Sequence, residues 1–224
     1  MTAPTAAIVA KSNPSAEGKA LLKPDMTPGE YLHTLKENKL AVDSVHFIAH
    51  GLPEMDAICW ACQGCRLVMP KLSLPELDAL KFTELWLKNP LPDLLLSLSL
   101  CLGKVDFTGP GGWCAQAGLW VKLPGMPVLP PIPGLPVVGL VAAAVIGAIL
   151  LSAGLRVGVA MPPIPKPKLE LPMLPLPPEL LLKLALPPIP LPPLPLLDQP
   201  KLMKLLLPFI ELGIAIAIGK VTCR

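Results

Sequence analysis

Thr27-Pro28-Gly29-Glu30-Tyr31-Leu32-His33-Thr34-Leu35 is the stretch whose reading decides the fold. Thr27 offers a side-chain oxygen to an early helix N–H, Pro28 suits the first helical position, and Glu30 completes a capping box. Tyr31, Leu32 and Leu35 then supply an apolar stripe at helical spacing. The same grammar repeats downstream. A break near Asn38-Lys39 leads to a second helix, Ala41–Gly51, with Val42, Val45 and Ile48-Ala49 on one side. Pro53 restarts the chain at another first-turn position, and Ile58, Cys59, Cys62 and Val68 continue the period. Ser73-Leu74-Pro75-Glu76 reads as a second capping box, opening a helix through Leu77, Leu80, Leu85 and Trp86 that Asn89-Pro90-Leu91-Pro92 stops. Helices over 94–102 and 113–120 flank the turn Thr108-Gly109-Pro110-Gly111-Gly112. Short helices, short loops and no convincing strand predict an all-α fold, with a small bundle over 27–121.

Outside that bundle the texture differs. Of 32 prolines, 21 lie between Pro124 and Pro200. Residues 1–26, rich in Ala, Ser, Thr, Pro and Lys, are expected to form a flexible leader. Residues 122–136 read as a Pro-rich linker, 156–200 as a largely irregular Leu/Pro-rich arm of polyproline II character, and 201–224 as a C-terminal apolar helix. Hydrophobic residues make up 52% of the chain and its mean hydropathy is +0.59, which excludes a solvated disordered chain. The 17 glycines follow no three-residue period, which excludes collagen.

Charge narrows the partners. Residues 1–122 carry 11 Lys/Arg against 12 Asp/Glu, and residues 123–224 carry 8 against 4. Arginine occurs at Arg66, Arg156 and Arg224, and aromatic residues are 4%, too few cationic forks and stacking platforms for a nucleic-acid partner. The first 30 residues hold no apolar run longer than Ala6–Ala10, which Lys11 closes, so no export signal is expected. Cysteines at 59, 62, 65, 101, 114 and 223 are therefore expected to be reduced thiols, in a cytoplasmic protein.

Residues 137–155 run for nineteen positions without charge or proline. As a helix they span about 28 Å, close to the ~30 Å hydrocarbon core of a bilayer. Gly139, Ala143, Gly147 and Gly154 form a small-residue surface for close helix packing. Two readings stay open here: a buried central helix, or a single span placing the protein in a bacterial inner membrane.

Tyr31-Leu32-His33-Thr34-Leu35, Asp43-Ser44-Val45-His46-Phe47-Ile48-Ala49-His50-Gly51-Leu52-Pro53 and Ala57-Ile58-Cys59-Trp60-Ala61-Cys62 together resemble an uncharacterised bacterial all-helical family, a domain of unknown function often encoded near type VI secretion genes. Gly112-Trp113-Cys114-Ala115 with Trp120, residues 141–150, and Phe209-Ile210-Glu211-Leu212-Gly213-Ile214 resemble its later elements. The likeness is strongest over 31–66. It implies a packing helix around Trp60-Ala61-Cys62 and a buried helix at 137–155, with no reaction attached.

Cys59, Cys62 and Cys65 have the spacing of a ferredoxin run, but Met69 stands where its fourth thiolate belongs, so Cys101 or Cys114 would have to complete a cluster. His46 and His50, one turn apart, could join two thiolates around zinc. The favoured reading is that the cysteines fill a helix stripe as small buried hydrophobes. His50, in the last turn of its helix, is expected to cap carbonyls, where a cation suits the dipole. No nucleophile elbow, Walker loop or dinucleotide fingerprint is present in the sequence. These readings predict a non-catalytic accessory or adaptor protein that docks a protein partner, with no cofactor and no small-molecule substrate. The alternatives are a membrane-anchored protein using 137–155 and a Cys-rich metal-binding protein. Tyr31, Leu35, Phe47, His50, Pro53, Trp60, Trp113 and Trp120 are the residues expected to carry the structure.

Overall fold

In the computed structural model, which describes residues 1, 3–105, 107–121, 139–158 and 198–222, the Thr27 capping box forms in full. The Thr27 N–H donates to Glu30 Oε2 at 2.8 Å, and the Glu30 N–H donates to Thr27 Oγ1 at 3.3 Å. Helices account for every regular element among the described residues, so the fold is all-α. In chain order they are α1 (Thr5–Ser12), α2 (Ala16–Ala20), α3 (Pro28–Glu37), α4 (Ala41–Gly51), α5 (Glu54–Arg66), α6 (Leu74–Lys88), α7 (Pro92–Leu102), α8 (Pro110–Trp120), α9 (Leu140–Val157) and α10 (Gln199–Ala217). The 122–136 linker and most of the 156–200 arm, with its polyproline reading, lie outside the described residues.

Residues 1–26 are not a free leader. Ile8 and Val9 are buried, and α1 packs against α4. Ser15 caps α2 by accepting the Gly18 N–H, while its own N–H donates to Asp43 Oδ1 at 3.0 Å. The Tyr31 hydroxyl donates to the Gly18 carbonyl at 2.8 Å. A β-carbon at Gly18 would fall 2.5 Å from Asp43 Oδ2, so this closure needs glycine. Chain ends stay loose unless buried or hydrogen-bonded, and this one is both.

The second expected capping box does not form. Ser73 receives no side-chain cap bond. Glu76 turns instead to the start of α8, where its Oε2 accepts the Gly111 N–H and, at 3.4 Å, the Gly112 N–H. Its carboxyl oxygen supplies, from another element, an acceptor for the unpaired backbone donors at the start of that helix. Gly111 has no room for a side chain, since a β-carbon there would lie 2.3 Å from the Glu76 carbonyl oxygen.

The core crosses the expected boundary at 121. α9 packs against α8, α5, α4 and α10. It starts after Gly139 at φ +91 and ends at Gly158 at φ +76, so it lies slightly later than the 137–155 window. Gly147 accepts the face of Trp113, whose ring atoms would stand 2.7 Å from a β-carbon. The 18-residue span is long and apolar enough to cross a membrane, yet 72% of it is buried within the fold. α10 closes the opposite side, starting at Gln199 rather than 201 because Asp198 accepts the Lys201 N–H at 3.1 Å. Trp60 Nε1 donates to the Phe209 carbonyl at 2.8 Å, and Gly213 lets Ile48 and Trp60 approach the helix. A Lys36–Glu211 ion pair links α3 to α10 on the surface. Tyr31, Leu35, Phe47, Trp60, Trp113 and Trp120 all lie in this one core.

Candidate functional site

α5 carries its cysteines three residues apart, on the face turned inward beside Ala57, Ile58, Trp60 and Ala61. All three are buried. The structure separates them, however. Cys65 Sγ lies 3.3 Å from Cys114 Sγ on α8, and the Ser152 hydroxyl on α9 donates toward Cys65 Sγ at 3.8 Å. Cys62 hydrogen-bonds to the same Cys114. Three helices thus bring two of the predicted cysteines and Cys114 together at their crossing.

Cys59 stands apart. It is disulfide-bonded, which overturns the expectation of a reduced thiol at that position. Cys62, Cys65, Cys101 and Cys114 are free thiols. Cys59 borders a hollow of about 270 Å³ that Met55, Asp56, Leu87 and Ile216 also line.

Burial, with hydrogen bonds given to Cys62 and Cys65, pushes the Cys114 thiol well above its ordinary range. At Cys62 the bond from Cys114 pulls downward, but burial together with Cys65 and Glu84 outweighs it and the net shift is upward. Thiolate is the nucleophile and the metal ligand, so both positions are held in their unreactive protonated form. The resting arrangement is one of packed thiols.

His46 and His50 lie on α4 and face elsewhere. Burial lowers the His46 pKa, against a hydrogen bond to the Ser12 backbone and the nearby Asp43 carboxylate. Burial, His46 and Lys11 together bring His50 down to about 4. His50 is therefore a neutral ring at the end of α4, and the expected cation there is absent, because an imidazole under cover beside a second imidazole and the Lys11 ammonium sheds its proton. Its Cε1 would stand 3.1 Å from a β-carbon at Gly139, the residue that starts α9. Among the described residues, no group of three or more His, Cys, Asp or Glu side chains is placed to hold a metal ion. His46 and His50 do not join the cysteines.

Glu76, expected to complete the Ser73 capping box, caps α8 instead. A buried polar residue not singled out in the sequence is Gln116 on α8, which is 2% exposed with neither amide atom partnered among the described residues. The indole nitrogens of Trp86 and Trp120 are likewise buried without partners. A lone amide among Gly, Ala and Trp in Gly112-Trp113-Cys114-Ala115-Gln116-Ala117-Gly118 was the available signal.

No curated protein and no solved structure matches the chain. A family model does, from Tyr31 at the start of the bundle to just past the end of α9, so the matched unit takes in the thiol crossing and the apolar helix as well as the first helices. That match, over residues 31–160 and more than half of the chain, places it in the family of unknown function DUF6931.

Proposed function

We propose that this protein is a non-catalytic helical adaptor that works by docking a protein partner. The observation that supports the reading is the outer face of α7. Leu96 and Leu100, one turn apart, are 42% and 60% exposed, where a solvent-facing helix ordinarily carries charge. Leu85 on the neighbouring α6 and Leu91 at the α6–α7 junction are exposed as well. Exposed leucines one turn apart on a helix face suit a protein interface. The buried carboxylate, imidazoles and thiols, by contrast, have structural occupations in caps and core. A Leu96→Glu/Leu100→Glu variant should keep its helix content and lose the partners that the parent protein retains in a pull-down. Unchanged partners would remove the docking role from this face.

The resemblance of residues 31–66 suggests a bacterial, cytoplasmic setting associated with type VI secretion. Deleting the gene should then reduce contact-dependent killing of a competitor strain, and wild-type killing would remove the association. A second reading, anchoring by α9, is favoured by the length and apolarity of Leu140–Val157. Its burial against α8, α5, α4 and α10 favours the core role instead. Metal analysis of anaerobically purified protein separates the adaptor from a metal-binding protein, since stoichiometric zinc or iron would contradict the packed-thiol reading.

A further inference from the structure

We propose that Cys65 and Cys114 are an oxidisable dithiol, which closes to a disulfide joining α5 to α8 when the protein meets a peroxide. The two sulfurs come from helices far apart in sequence and stand 3.3 Å apart. A disulfide needs about 2.05 Å, so closure takes a shift of little more than one ångström, shared between two side-chain rotations. Either sulfur of the 3.3 Å pair can donate to the other, and the Ser152 hydroxyl is a second donor aimed at Cys65 Sγ at 3.8 Å, which places Cys65 as the sulfur to attack first. Cys62 sits on the same helix but lacks the second donor among the described bonds.

The Cys65 thiolate attacks one peroxide oxygen, the O–O bond breaks, and a sulfenic acid forms while the other oxygen leaves as water after protonation. The Cys114 sulfur then attacks the sulfenic sulfur, the S–S bond forms, the S–O bond breaks, and a second water leaves. Two thiols lose one electron each, and one hydrogen peroxide is reduced to two waters. Full burial makes the first step slow in the closed fold, because peroxide reaches the sulfurs when the α5–α8 contact opens locally. The pair would thus record sustained exposure rather than a brief pulse.

The test uses the full-length protein, folded, exposed to hydrogen peroxide, then unfolded in iodoacetamide and digested without reductant. The expected product is a Cys65–Cys114 linked peptide pair, two hydrogens lighter than its parts and released by dithiothreitol, with Cys62 and Cys101 alkylated. Full alkylation of Cys65 and Cys114, a Cys62–Cys114 link, or sulfinic acid at Cys65 in place of a link would overturn the proposal. In a Cys114→Ser variant, Cys65 should stop at a sulfenic acid trapped by dimedone. If that variant does not fold, the wild-type peptide map still decides the matter.

Discussion

At the scale of single residues, Glu76 and His50 show how one buried group can set a local structure. Glu76 satisfies two backbone donors at the head of α8 from within the core. Glu76→Ala leaves those N–H groups buried without their acceptor and should cost about 3 kcal/mol in urea unfolding, because bonds to a charged partner contribute ~1.5–3 kcal/mol each. Glu54→Ala, at the exposed start of α5, should cost no more than about 1 kcal/mol. Equal losses in the two variants would contradict the cross-helix cap. His50 makes stability depend on pH. An unfolded imidazole takes its proton near 6.5, and His50 in the fold takes it only near 4, so the unfolded chain binds the proton first as pH falls. Its contribution is complete above about pH 6.5 and is lost as pH falls toward 4, by on the order of 3 kcal/mol at the lower end. His46 is shifted the same way and adds to the slope. A His50→Gln variant should show a visibly flatter fall in urea midpoint between pH 7 and 4.5, and a slope identical to wild type would sink this assignment.

At the scale of elements, small residues decide how closely helices meet. Gly147 on α9 seats Trp113, which is buried and held by its Nε1 bond to the Phe107 carbonyl at 3.3 Å. A methyl group there meets ring atoms that cannot yield. Gly147→Ala should therefore lose up to about 2 kcal/mol, since overpacking of ~1–3 kcal/mol offsets or exceeds the ~1 kcal/mol gain in helix propensity. Gly29 in the first turn of α3 has nothing within 4 Å, so Gly29→Ala should be neutral or stabilising by up to ~1 kcal/mol. Paired thermal melts check both signs at once. Legibility in sequence follows the same distinction between local and distant causes. α4 spans Ala41–Gly51 as read, because the Asn38-Lys39 break and the period that follows are local signals, and Lys39 does take a left-handed φ of +60. The ordering of α1 is not legible locally, because it depends on Ile8 and Val9 packing against α4, far along the chain. Ser73 to Glu76 matches the capping-box pattern in composition, yet the glycines that draw Glu76 away lie 35 residues on. The thiol crossing was half legible. α5 supplied two of its members by spacing, whereas the choice of Cys114 over Cys101, and the exclusion of the histidines, required the packing of α8 and the direction of α4.

At the scale of the whole molecule, the chain gathers α4, α5, α8 and α10 around α9. Burial of Leu140–Val157 against four other helices gives the apolar run an occupation that needs no lipid. The exposed leucines of α7 remain as the surface by which the assembled bundle would meet another protein. The account turns on α9 being the centre of that bundle, and native-state hydrogen exchange of the protein purified without detergent tests this most directly. The prediction is that the protein stays in the supernatant after high-speed centrifugation and that 140–157 exchanges as slowly as α5 and α8, all three opening together with global unfolding. Protein recovered only from the membrane pellet, or a 140–157 segment whose exchange slows only when lipid is added, would contradict it.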